Sequence, residues 1–217
     1  PATMSASTLG KNLNASCWFG PHRSVTDWIF FVVCAVAVPV SLLSFAVIEA
    51  RIHANSSKQD ETVNLQIFDV RNGYTPEEVF ATLNAWGSQG KFLYLIIEFI
   101  DCAVYTLAYR GVFLVLLNRM SAQISSRWAM IAPVVSIMPA IPLFLSWVDL
   151  LEDLGQVAML LTLPAAASSA PWSLLVRTAS AINLTKWTIV RAGTPLFLAE
   201  LLLLLLLRLR PAAKQRG

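Results

Sequence analysis

Asp149, Glu152 and Asp153 stand within one short stretch, SWVDLLEDLGQ, of a 217-residue chain that is 56% hydrophobic and only 13% charged. Carboxylates crowded in this way can hold a proton, pair with a base or meet a cation. Each choice depends on what faces them. A second acidic set precedes them in FLYLIIEFIDCAVYTLAYRGVFLVLL, where Tyr94, Glu98, Asp101, Tyr105 and Tyr109 follow one another at intervals of four, three, four and four. That spacing draws one stripe along a helix, and a polar stripe in an apolar segment should face protein, not lipid. A third pair, Asn183 and Lys186, is three residues apart and also shares a helical face.

Simple geometry brings these sets to one height. In an antiparallel helical hairpin, level residues have numbers that add to a constant fixed by the turn. The turn PAAASSAPW, centred near residue 168, sets Asp149 level with Lys186 and Glu152 level with Asn183. A turn near residue 123 sets Asp101 level with Leu145 and Glu98 level with Val148. The expected result is a buried polar layer of Glu98, Asp101, Asp149, Glu152, Asn183 and Lys186, with Arg191 joining from a little over one turn deeper. Ionisable groups in membrane helices cost about 2.5–3.5 kcal/mol each on insertion scales, so they turn toward partners or water. One lysine cannot neutralise four acids. The remainder must be protonated, reach the interface, or meet a cation or another subunit. The layer reads first as an ion-paired lock that fixes helix register, and alternatively as a site for protons, cations or a polar substrate.

The elements that must position this layer are membrane helices. A mean hydropathy of +0.62 exceeds what a soluble domain carries. Spans are expected over about 28–48, 92–117, 129–163 and 173–207, making an all-α integral membrane four-helix bundle. Pro39 should kink the first. Pro133, Pro139 and Pro142 should kink the third, which at about 1.5 Å per residue is too long to cross straight. Between the first two spans lie a loop without period, residues 49–74, and the segment TPEEVFATLNAWG. Thr75 caps that segment, Pro76 takes its first position, Glu78 completes a capping box and Gly87 ends it. With Val79, Leu83 and Trp86 on one face, it is expected as a short amphipathic helix at the interface.

Residues 1–26 form a polar arm without an acid before Asp27, as in an organellar targeting segment or an ordinary solvated arm. The tail 208–217 is basic and carries Arg208, Arg210, Lys214 and Arg216. Four spans put both ends on one side, together with Arg119 and Arg127, and the bias of basic residues favours that side as inside. Asn14, Asn55 and Asn183 lie in glycosylation sequons, of which only Asn55 falls on the proposed outer side.

The run WGSQGKFLYLIIEFID, then DLLED, then INLTKW resembles a family of uncharacterised four-span membrane proteins. Those have a Gly-rich entry to the second helix, an Asp-x-x-Glu motif in the third and a Thr-Lys pair in the fourth. The matching positions are Gly87, Gly90, Asp101, Asp149, Glu152, Thr185 and Lys186, within residues 73–190. The resemblance implies a four-helix membrane bundle and carries no chemistry with it.

Several function classes fall away. No phosphate-binding Gly-rich loop, zinc-protease helix, Cys-x-x-Cys pair or nucleophile elbow occurs. Two histidines, His22 and His53, both outside the apolar runs, exclude a haem held between membrane histidines of this chain. Cys17, Cys34 and Cys102 make no disulfide framework. No basic groove interleaved with aromatics points to nucleic acid, and no cofactor, metal or catalytic residue is assigned. The expected role is a non-catalytic accessory or assembly subunit of a larger bioenergetic membrane complex, in contact with lipids and other membrane subunits. The mitochondrial inner membrane is favoured over the thylakoid or plasma membrane. The alternative is a small proton- or cation-coupled transporter that uses the acidic layer.

Overall fold

The computed structural model describes residues 25–56, 63–126 and 128–209. Nearly all of the expected polar arm, most of the basic tail, and Arg127 lie outside the described residues. What is described is all-helical, with four helices long and apolar enough to cross a membrane: Thr26–Asn55, Pro76–Ser125, Ala132–Leu161 and Ala170–Leu206.

Helix α1 (Val25–Asn55) runs on through Pro39. Its outer face leaves Ile29, Val33, Val36 and Leu43 exposed, as a lipid-facing helix would. Helix α2 (Pro76–Ile100) begins at the expected cap. The Thr75 hydroxyl accepts from the Glu78 N–H at 3.2 Å, and the Glu78 carboxylate accepts from the Thr75 N–H at 2.7 Å.

The amphipathic segment is not the separate interfacial helix that the sequence suggests. Gly87 breaks the helical dihedrals with φ 63° and ψ −169°, a region almost confined to glycine, but the helix resumes at once and the segment becomes the bent first half of α2. Its apolar face packs inward. Val79, Leu83 and Trp86 are buried with Ile52 of α1 and with Ile67, Phe68 and Tyr74 of the loop before α2.

A π turn, Asp101–Tyr105, carries α2 directly into α3 (Thr106–Ser125). The third span opens as a short α4 (Ala132–Val135), passes through tight turns such as Ile137 N–H to Val134 O, and becomes regular only in α5 (Ala140–Leu161). The prolines explain the break, since each lacks an N–H donor for the ladder. Pro133 lies in the first turn of α4 and Pro139 caps α5. Helix α6 (Ala170–Leu209) continues through Pro195 and spans about 60 Å by its rise per residue.

Helices α5 and α6 form a close antiparallel hairpin. A β-carbon added at Gly155 would meet the Ala179 β-carbon at 3.0 Å, so the small residue permits the approach. The Trp172 indole bonds back to Met159 O at 3.2 Å and ties the turn.

Candidate functional site

On α5, Asp149, Glu152, Asp153 and Gln156 occupy one helical face, and all four are buried. On α6, Asn183 and Lys186 share the face that meets them. The level pairing read from the sequence holds at both positions. Lys186 Nζ lies 3.0 Å from Asp149 Oδ1, and Asn183 Nδ2 donates to Glu152 Oε1 at 2.7 Å. Lys186 also meets Glu152 Oε2 at 2.5 Å and Asp69 Oδ1 at 3.4 Å. An ammonium has three N–H donors, and three carboxylates meet them.

Asp69 is the main addition to the expected layer. It sits in the segment IFDVRNGY, which folds back into the bundle and does not run over its surface. Phe68 is fully buried, with its ring 5.3, 5.2 and 5.5 Å from those of Tyr74, Trp86 and Tyr94. Arg71 is buried beside it, and its guanidinium donates to the carbonyls of Gln66 and Asn64 and to the Thr82 hydroxyl. Burial lowers the Arg71 pKa and raises that of the Tyr74 phenol. Helix α6 clamps the segment. Ser180 Oγ and Asn183 Oδ1 each accept a backbone N–H at 2.9 Å, from Tyr74 and Gly73, and the Trp187 indole donates to Asp69 O at 3.0 Å. The Asp69 carboxylate is thereby fixed between α2, α5 and α6. Gln156 donates to it at 3.1 Å and to Glu152 at 2.7 Å, and the Tyr94 hydroxyl contacts both Asp69 and Gln156.

The second hairpin departs from its expected register. Thr106 Oγ1 lies 2.9 Å from Asp149 Oδ2, and Cys102 Sγ lies 3.2 Å from Asp153 Oδ2. These contacts centre the turn at the Ser126–Trp128 step, later than the sequence places it, because the broken start of the third span is part of the connection. Asp101 therefore lies near the height of Asp153, not Leu145, and Thr106 takes the height of Asp149. The π turn adds a further shift. It widens the helix so that the Thr106 N–H reaches Asp101 O, and Thr106 is fully buried where the regular stripe expects Tyr105. Thr106 Oγ1 is also 3.1 Å from Asp101 Oδ1. A single hydroxyl proton cannot serve both carboxylates at once, so Thr106 satisfies only one of them.

All six expected layer residues are brought together: Glu98, Asp101, Asp149, Glu152, Asn183 and Lys186 are each buried. Asp69, Asp153 and Gln156 complete the layer. Arg191 does not join it; it is exposed and donates to Asn72 Oδ1 at 3.1 Å, because its position on α6 turns it toward the loop. Thr185 also faces outward and bonds Ala181 O on its own helix. Asn183, though in a sequon, is fully buried.

The layer forms one end of a cavity of about 540 Å³. Asp69, Asp101, Asp149 and Lys186 line its polar part, while Phe45, Phe113, Leu117, Met138 and Phe197 are among its apolar walls. Such a chamber suits a molecule with a polar head and an apolar body. Compared with known proteins, the chain matches no family model, no curated protein and no solved structure.

Proposed function

We propose that the buried layer is a binding centre and that the protein is a small membrane carrier coupled to protons or cations, with an apolar or amphiphilic solute in the adjoining cavity. One observation carries this reading. Among the described residues, six buried carboxylates, Asp69, Glu98, Asp101, Asp149, Glu152 and Asp153, gather in one layer with one buried ammonium, Lys186, which meets three of them, and Asp69, Asp101, Asp149 and Lys186 line the cavity. A lock that only fixed register would balance its charges, whereas this excess leaves places for protons or cations to occupy. No reaction is assigned to the layer.

Proteoliposomes loaded with a pH-sensitive dye test the proposal when challenged with a pH jump and with gradients of Na⁺, K⁺ or Mg²⁺. The expected result is faster relaxation than in protein-free vesicles, slowed by Asp101→Asn and Asp149→Asn. Wild-type vesicles indistinguishable from empty ones under every gradient would remove the carrier reading.

The apolar outer faces favour a second reading. Only 17% of the most apolar stretch of the first span and 11% of that of the last are buried within the chain. Neighbouring subunits could cover those faces, and the acid-poor start supports an organellar membrane such as the mitochondrial inner membrane, with the ends inside. Native mass spectrometry from mild detergent separates the two roles: a stable lone monomer would oppose the accessory-subunit reading.

A further inference from the structure

We propose that Asp69, Asp101 and Asp153 form a binding site for one hard divalent cation, with Glu98 as a fourth carboxylate at its edge. The proposal rests on the reading of the layer as a binding centre and names its ligand.

One carboxylate oxygen from each of the three aspartates lies within 4.8 Å of the other two. Oxygens on opposite sides of an ion with bonds of about 2.1–2.5 Å stand about 4–5 Å apart, so one Mg²⁺, Mn²⁺ or Ca²⁺ can reach all three. The donor set is carboxylate oxygen without imidazole, which selects hard cations. The neighbouring thiol of Cys102 is engaged as a donor to Asp153 Oδ2.

A second observation points to the same ligand. Glu98 is 1% exposed and neither of its carboxylate oxygens has a well-placed hydrogen bond, since the Tyr94 hydroxyl beside it is directed at Gln156 and Asp69. Asp153 is fully buried, and its Oδ1 makes no hydrogen bond. Glu98 lies within electrostatic reach of Asp69, Asp153 and Asp101, so its charge adds to theirs. Lys186 does not resolve this group, because its three N–H donors are matched by Asp69, Asp149 and Glu152. A buried anion without a partner is costly, and a cation among these carboxylates supplies the missing counter-charge. The π turn that begins at Asp101 is consistent with this, since such turns are frequent at functional sites.

The test uses the full chain in mild detergent, stripped with a chelator and titrated with Mn²⁺, with the free ion followed by electron paramagnetic resonance. The expected result is about one Mn²⁺ per chain, displaced by Mg²⁺ or Ca²⁺. Asp101→Asn and Asp153→Asn should each weaken binding by about tenfold or more. Glu200→Gln, on another part of α6 where Ser121 of α3 donates to the buried carboxylate, should leave it unchanged. Circular dichroism shows whether each variant keeps its helices. If an Asn variant loses them, the wild type decides alone, because no Mn²⁺ uptake beyond a protein-free detergent control would overturn the proposal. Folded Asn variants that bind as tightly as wild type would overturn it too. Mn²⁺ binding without gradient relaxation would leave the site standing and remove the carrier, and relaxation without Mn²⁺ binding would do the reverse.

Discussion

The two sides of the buried layer treat their carboxylates differently. Toward α6, Asp149 and Glu152 meet Lys186, and Glu152 also accepts from Asn183 and Gln156. Toward α2 and α3, Glu98, Asp101 and Asp153 meet no base among the described residues, and the donors beside them are the hydroxyls of Tyr94 and Thr106 and the thiol of Cys102. Asp69 belongs to both sides. The first arrangement resembles a structural lock, since each of its carboxylates meets the Lys186 ammonium and Glu152 meets two amide donors as well. The second has acceptors in excess, which is the condition of a site awaiting a ligand. The difference suggests that the lock holds the carboxylates of the other side close together despite their repulsion.

The comparison breaks most severely at Lys186. Lys186→Met leaves Asp69, Asp149 and Glu152 without their shared cation, and the expected loss is about 3–5 kcal/mol for a broken buried ion pair, read from denaturant unfolding in detergent. Adding Asp149→Leu should recover only part of that loss, because Asp69 and Glu152 still face the missing charge. Full recovery would show that Lys186 serves Asp149 alone, and strictly additive losses would show no coupling between them.

A much smaller effect is expected on the other side. Glu98→Gln removes a charge that meets like charges and no base, so the metal-free protein should change by less than about 1 kcal/mol or gain stability. A loss as large as that at Lys186 would mean that Glu98 has a counter-charge of its own and that the two sides are alike.

The lock was legible in the sequence, and the open side largely was not. Asp149 with Lys186 and Glu152 with Asn183 follow from a hairpin whose two helices run regularly from a short, tied turn. Glu98 and Asp101 were placed in the layer by their spacing. Their neighbours were misplaced because the π turn and the proline-broken start of the third span both shift the register. The spacing leaves Asp153 outside the layer, although it stands in the same motif as Asp149 and Glu152. Asp69 had no periodicity to reveal it. The available signal was compositional: Ile67, Phe68 and Val70 are apolar residues that a solvated loop has no reason to carry, and two of them are buried. Gly87 marked a real break in the helix, but the burial of Val79, Leu83 and Trp86 keeps the segment in the bundle and away from the interface.

Infrared difference spectroscopy of the chelator-stripped protein on addition of Mn²⁺ tests the central claim most directly, because it sees carboxyl groups change state. If the open side holds its carboxylates by sharing protons until a cation arrives, Mn²⁺ should remove a protonated-carboxyl band and raise a carboxylate band, releasing protons to the buffer. The same addition to Asp153→Asn should leave most of that change out. A wild-type spectrum with no carboxyl change at saturating Mn²⁺ would contradict the account, and the excess of acids in this layer would then have to be explained without a ligand.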